Sequence, residues 1–263
     1  MKNLVIGIVG NESLHKKWIS KTENCNYDLF LVYYGDKDFK KKQYKKESKY
    51  YEEKQGTKFN IVYELYLENK EIINKYKYIF VPDDDLLITP TEINRLFDIS
   101  KKYNLFLSQP AIIGYYSVPI TLAHPSSLLR YTNFVEIMCP CFEIETFKKL
   151  HESFNYNKSC WGIDILWDIE LGRPKDKIAI IDDTVAIHTR PVYQGDYYQN
   201  NDIKEIPRKD IVEVCKKNNI KMPHEKIVYS SLPTETNWEQ NNLFFPRTDK
   251  TIEACNKARG IFQ

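Results

Sequence analysis

The sequence lacks most of the features that would assign it quickly. No Cys-x-x-Cys occurs among its six cysteines (Cys25, Cys139, Cys141, Cys160, Cys215 and Cys255), and no His/Cys cluster has zinc spacing. Free, mostly buried thiols in a reducing cytoplasm are the plain expectation. No apolar run approaches the roughly 18 residues of a membrane-spanning helix. The first such run, Leu4-Val5-Ile6-Gly7-Ile8-Val9, is too short for a secretion signal with its cleavage site and reads as a strand. Net charge is nearly absent too. The formal value of +2 argues against a dedicated nucleic-acid binder. No Gly-x-Gly-x-x-Gly turn follows the first strand, so the usual dinucleotide fingerprint is missing. There is no internal repeat and no low-complexity segment.

What is present describes an ordinary globular chain. Its 263 residues, 42% hydrophobic and 28% charged, suffice for one large domain or one and a half with a real core. Nineteen tyrosines and thirteen phenylalanines suit stacking on sugars and bases, and equally fill cores. Residues 3–9 predict a buried strand ending at Gly10-Asn11. A helix over 13–21 and a second strand over 28–34, ending at Gly35-Asp36, then give a parallel α/β start. Residues 37–55 are lysine-rich and read as surface, with a short strand near 48–51. Phe59, Val62, Leu65, Tyr66, Ile72, Ile73 and Tyr76 fall at helical spacing and predict a helix over 57–75. Its start, Gly56-Thr57-Lys58, offers free amides and a cation to a phosphate or to water.

A strand at 77–82 follows. Thr89-Pro90-Thr91-Glu92 then opens a helix to Tyr103, with threonine as cap and proline in the first turn. Leu105 to Ser108 reads as a strand ended by Gln109-Pro110, and 112–132 as irregular chain looping over a site. Phe134 to Phe142 reads as a strand that Pro140 confines to an edge or breaks. Helices are expected over 145–154 and from Trp161 to Leu171, and strands over 177–181 and 185–188. Beyond Arg190 the alternation fades into a loop, a helix over 209–219 and a tail with weak signals.

The chemistry concentrates at Asp83, Asp84 and Asp85, directly after the apolar run Tyr78-Ile79-Phe80-Val81-Pro82. Adjacent carboxylates repel, and a hard divalent cation among them would relieve that. On a strand, Asp83 and Asp85 share one face and Asp84 takes the other. An acidic turn capping the next helix is the competing reading. His188, after a late strand, would add an imidazole ligand or simply pack. Asp164 is either a first-turn acid complementing a helix dipole or a general base. Trp161 would stack on a sugar face or pack. Glu136, within an apolar strand, needs a partner and is therefore a site residue. Cys139 as a nucleophile has no histidine beside it in sequence.

Taken in order, these segments resemble two known groups. The apolar run into Asp83-Asp84-Asp85-Leu86 resembles the Asp-x-Asp motif of GT-A glycosyltransferases. Five ordered segments resemble a plant and bacterial family of unknown function sometimes labelled lysine-ketoglutarate-reductase trans-splicing related. They are the aspartate segment; Leu107-Ser108-Gln109-Pro110; Phe134 to Met138 with Pro140 and Phe142; Trp161-Gly162-Ile163-Asp164; and Lys177-Ile178 through Asp182 to His188. Lys54-Gln55 with Thr57-Lys58 is a weaker sixth. The likeness spans roughly residues 28–190.

The resemblance implies a GT-A-like (Rossmann-like) α/β/α sandwich with a mostly parallel central sheet. It implies a catalytic domain over 1–190 with 191–263 as an extension packed on it. By position, Asp83, Asp85 and His188 map to the ligands of Mn²⁺ or Mg²⁺, and Asp164 to the base. Val9, Gly10, Asn11, Tyr34, Asp36, Lys58, Asp83 and Asp84 map to the nucleotide-sugar site, UDP-sugar first and GDP or CDP as alternatives. Glu136, Trp161 and Gly162 map to the acceptor side. The activity implied is metal-dependent sugar transfer to a glycan hydroxyl with inversion, although the wider inverting pattern has two acids after the glycine and this chain has one. The expected setting is capsule or lipopolysaccharide assembly in the cytoplasm at the inner membrane face. A metal-dependent phosphohydrolase and a non-catalytic nucleotide-sugar-binding relative are the alternatives. The hydrolase's Asp-x-Asp-x-Thr/Val after the first strand is absent.

Overall fold

The computed structural model describes residues 2–19, 24–191 and 206–234. Its centre is a ten-stranded sheet. The strands are β1 (Asn3–Val9), β2 (Tyr27–Tyr33), β3 (Tyr50–Glu53), β4 (Tyr78–Phe80), β5 (Leu86–Leu87), β6 (Leu107–Gly114), β7 (Ser127–Thr132), β8 (Cys141–Glu143), β9 (Ile178–His188) and β10 (Val228–Pro233). The order along the sheet is β10-β7-β9-β6-β8-β4-β1-β2-β3, with β5 paired to β9. Strands β1, β2, β3 and β4 are parallel neighbours. Strand β8 is antiparallel to both β4 and β6, so β6 and its parallel neighbour β9 run with β4. Only β5, β7 and β8 run against the rest. The sheet is therefore mostly parallel by strand direction, as expected.

Seven helices flank it among the described residues: α1 (Asp38–Glu47), α2 (Lys58–Glu68), α3 (Lys70–Ile73), α4 (Pro90–Lys102), α5 (Ile144–Leu150), α6 (Ile163–Glu170) and α7 (Ile206–Lys217). Strand alternation divides the apolar residues between two cores. Val5, Leu29 and Leu31 face one, with Trp18 and with Ile93, Leu96 and Phe97 of α4. Leu4, Ile6, Phe30 and Val32 face the other, with Phe59 and Val62 of α2 and Phe147 and Trp167 of α5 and α6. Each fully buried large side chain contributes about 1.5–3 kcal/mol. A sheet buried on both faces explains why its strands read as continuous apolar runs.

Several elements differ from expectation for identifiable reasons. Over 13–19, the described part of the helix expected over 13–21, there is only a 3-10 turn, His15–Trp18, in which both end residues are buried. Inside the lysine-rich segment lies a full helix, α1, whose sole buried residue is Tyr44. One buried position sets no period. Pro110 does not end its strand, because β6 runs to Gly114. Past Ser108 its pairing with β8 stops, so a missing amide costs nothing on that edge, and the pairing with β9 slips at Pro110/Ala111. That slip also joins two expected strands into one β9. Residues 134–140 are not strand at all. Pro140 breaks the run, and β8 is the short piece after it.

A buried ion pair fixes the loop between β6 and β7. Arg130 donates from Nε to Asp182 Oδ2 and from one guanidinium nitrogen to Oδ1, both at 2.8 Å. Two further N–H groups meet the carbonyls of Ile120 and Leu122 at 2.9 and 2.7 Å. Asp182 is fully buried. Removing one partner strands a buried charge. Asp182→Ala is therefore expected to cost about 3–5 kcal/mol of unfolding free energy in denaturant titration, more than the double replacement Arg130→Met/Asp182→Leu. Equal losses in the two variants would refute this role.

Candidate functional site

A cavity of about 630 Å³ lies at the carboxyl ends of β1, β2 and β4. This is where the loops of an open α/β sheet gather ligand-binding groups. The three aspartates border it, in a turn rather than on a strand: the Leu86 amide bonds to the Asp83 carbonyl at 3.3 Å. The strand period therefore does not apply, and the expectation that Asp84 points away is corrected. All three line the cavity. Asp84 Oδ2 accepts from the Gly10 amide at 2.8 Å and the Tyr34 hydroxyl at 3.3 Å. A Cβ at Gly10 would lie 2.6 Å from the Tyr34 oxygen, so a larger residue there would push the Tyr34 ring away from Asp84.

Asp85 is set beside His188 by the β5–β9 pairing, in which Leu86 opposes His188. Its Oδ2 lies 3.6 Å from His188 Nε2 and 3.8 Å from Arg190 Nε. His188 Nδ1 lies 2.8 Å from the Tyr115 carbonyl. A carbonyl only accepts, so Nδ1 carries the proton and Nε2 faces Asp85. A ring pinned through Nδ1 with Nε2 presented beside a carboxylate suits cation ligation. Asp83 behaves differently, because its Oδ1 accepts from Lys58 Nζ at 2.7 Å. Among the described residues, no group of three or more His, Cys, Asp and Glu is arranged to hold a metal. Asp85 and His188 are a two-group set that substrate phosphates would have to complete, which suits Mg²⁺ or Mn²⁺.

Two further carboxyl groups enter from the other segments. Glu136 Oε1 accepts from the Ser117 hydroxyl at 2.6 Å, while its buried Oε2 has no hydrogen-bond partner. The Glu136 amide is tied to Gln109 Oε1 at 2.7 Å. Asp164 lies in the first turn of α6 after Gly162, whose φ of +87° only glycine adopts easily. Its Oδ2 accepts from the Ile137 amide at 3.3 Å. Trp161, Phe134 and Ile137 give this side of the cavity an apolar wall.

Burial dominates the electrostatics. It pushes Glu136 up to about 7, with Ser117 opposing and the Asp164 charge reinforcing. It pushes Asp164 to about 6 against the Ile137 amide. Asp84 rises to about 7 by burial and the neighbouring Asp85. Asp83 is also raised, by desolvation first, with Lys58 pulling down and Asp85 pushing up; its side chain still keeps 39% of its surface exposed. Burial lowers His188, but the bond to Asp85 and the charges of Asp85 and Asp83 outweigh it, and the net shift is upward. Burial lifts the Cys139 thiol well above its ordinary value, which argues against a thiolate nucleophile.

Of the expected site residues, Tyr34, Lys58, Asp83, Asp84, Asp85, Glu136, Trp161, Gly162, Asp164 and His188 share this cavity. Val9, Gly10, Asn11 and Asp36 do not line it. Gly10 acts through its bond to Asp84, and Asn11 Nδ2 donates to Asp36 Oδ1 at 2.9 Å beside it. Sequence reasoning missed Ser117, Arg190 and Lys226, which also line the cavity. Arg190 was within reach, two residues past His188. Lys226 lies beyond a stretch with no motif, and nothing local marks it.

A family model described as "Protein of unknown function (DUF707)" matches residues 1–127, which include Lys58 and the three aspartates. No curated protein matches. Among solved structures, the crystal structure of S. aureus TarS is similar, at 14% identity and a TM-score of 0.48. The alignment covers 83% of this chain and 43% of that one, so the chain spans less than half its length.

The raised carboxyls carry a sign. Glu136 moves from 4.5 to about 7 and Asp164 from 3.8 to about 6. Between those limits the folded chain holds protons that the unfolded chain has released. Their stabilisation is complete below the unfolded values and is lost as pH rises through the folded ones. The denaturation midpoint is therefore expected to fall from about pH 4.5 to about pH 7, less steeply in Glu136→Gln. An unchanged slope in that variant would show that Glu136 is not the group titrating.

Proposed function

We propose that this chain is a GT-A-type glycosyltransferase that moves a sugar from a nucleotide donor, UDP-sugar first and GDP- or CDP-sugar otherwise, to a glycan hydroxyl with inversion. The observation that carries this reading is one cavity holding two unlike sets of groups. The aspartate turn with His188, Lys58 and Arg190 suits a diphosphate and a divalent cation. The buried carboxyls Asp164 and Glu136, beside Trp161, suit a sugar hydroxyl. A cation held by Asp85 and His188, joined by Asp83, would supply charge neutralisation at the departing diphosphate.

The protein's own groups account for the rest. Asp164, near 6, is ionised at neutral pH and still basic enough to take the acceptor proton. As that proton leaves, the acceptor oxygen bonds to the anomeric carbon and the bond to the diphosphate breaks. Lys58 and Arg190 add fixed positive charge where negative charge develops. The apolar wall of Trp161, Phe134 and Ile137 favours a ring over water as acceptor, which sets this reading ahead of a phosphohydrolase. Cell-envelope polysaccharide assembly is the setting in which such a transfer fits. No helix among the described residues is long and apolar enough to cross a membrane.

Calorimetry with Mn²⁺ and UDP, GDP or CDP tests the donor side. One nucleotide is expected to bind only with the cation, and Asp85→Asn to abolish that binding. If none of the three binds under any condition, the transferase reading fails. On the acceptor side, Asp164→Asn is expected to lower turnover by about a hundredfold or more at near-normal donor affinity. Retained turnover would remove Asp164 as the base.

A further inference from the structure

Lys58 opens α2, and its ammonium meets three acceptors: Asp83 Oδ1 at 2.7 Å, the Ile137 carbonyl at 2.7 Å and the Met138 carbonyl at 2.9 Å. An ammonium has three N–H donors, so this one is saturated. Two of the acceptors are backbone, and Met138 O is itself fixed by the Asp83 amide at 2.8 Å. The third is a carboxylate in the cavity. The Lys58 side chain is only 16% exposed, against 39% for Asp83. The first aspartate of the turn is thus already engaged by an internal cation, whereas Asp85 faces the His188 imidazole at 3.6 Å and the Arg190 guanidinium at 3.8 Å.

We propose that Lys58 is a placeholder for the divalent cation, withholding Asp83 from it until a diphosphate takes over the ammonium's third N–H. Tight cation binding then requires the nucleotide. The idea rests on the donor reading above and adds an order of assembly to it. The exchange leaves no charge unpaired. Lys58 keeps its two carbonyls and trades a carboxylate oxygen for a phosphate oxygen, an acceptor that suits a compact ammonium. Asp83 passes from the ammonium to the cation. Lys58 is on this account a positioning residue that controls access to a ligand.

The test is Mn²⁺ binding followed by electron paramagnetic resonance, with and without nucleoside diphosphate, in the full chain. Lys58→Met is expected to bind Mn²⁺ alone about tenfold or more tightly than the wild type, because Asp83 becomes available. Asp83→Asn is expected to leave the affinity for Mn²⁺ alone unchanged while removing the gain that the nucleotide confers. Equal or weaker Mn²⁺ binding in Lys58→Met overturns the proposal, as does a loss of Mn²⁺-alone affinity in Asp83→Asn. Should Lys58→Met fail to fold, the Asp83→Asn comparison decides. If the nucleotide confers no gain on the wild type while Lys58→Met still tightens Mn²⁺ alone, the donor reading falls and the hold of Lys58 on Asp83 stands.

Discussion

Three consecutive carboxylates in a half-buried turn repel one another, and the site is organised around relieving that repulsion. Two unit charges about 4 Å apart interact by about 4 kcal/mol at the effective dielectric near a protein surface. Each aspartate is answered by a different element. Lys58 of α2 answers Asp83, the Gly10 amide and Tyr34 hydroxyl answer Asp84, and His188 and Arg190 answer Asp85. These groups come from four separate stretches of the chain, at Gly10, Tyr34, Lys58 and His188 to Arg190. The turn is therefore the point at which groups from the ends of β1, β2 and β9 and from the start of α2 meet.

The compensation is incomplete, and on the proposed reading what remains serves ligand binding. Burial first, and the neighbouring Asp85 charge with it, hold Asp84 near 7 and keep Asp83 raised despite Lys58. A turn fully neutralised by protein groups would have no use for a ligand. Here the negative potential left over is what a divalent cation would meet, and the cations nearby are what a diphosphate would meet. Both signs within one cavity favour a ligand that carries charge of both kinds, such as a metal-bound nucleotide.

The sequence made the sheet legible wherever strands are buried on both faces, since β1, β2 and β4 appear as unbroken apolar runs. Helix α4 was equally legible: Thr89 caps it by accepting from the Glu92 amide at 3.3 Å, with Pro90 at its first position. What stayed hidden depends on non-local partners. Helix α1 is held by Tyr44 against Gly10 and Asn11, a contact no local period displays. The strand read through 134–140 is loop because Pro140 breaks it, and that loop is what delivers Glu136 and the two carbonyls that hold Lys58. The residues of the site were largely readable as types. The partner of each was not, because pairing is decided by topology: His188 meets Asp85 only through β5 on β9.

On the proposed reading, the two buried acids divide the acceptor chemistry by how each is held. Asp164 sits where amides gather: that of Ile137, and those of its own residue and Ile165 at the start of α6. Such donors stabilise the charged form, so it settles near 6 in spite of burial. Glu136 has one hydroxyl partner, one oxygen without any, and the charge of Asp164 nearby. It therefore keeps its proton to about 7. When Asp164 is mostly ionised near neutrality, Glu136 is about half in the neutral acid form, which can donate as well as accept. A neutral acid beside an anionic one can orient a hydroxyl without competing for its proton, whereas two ionised carboxylates there would add repulsion to a cavity already rich in negative charge. The same argument explains why one acid at the start of α6 suffices, since the second carboxyl group comes from the loop before β8.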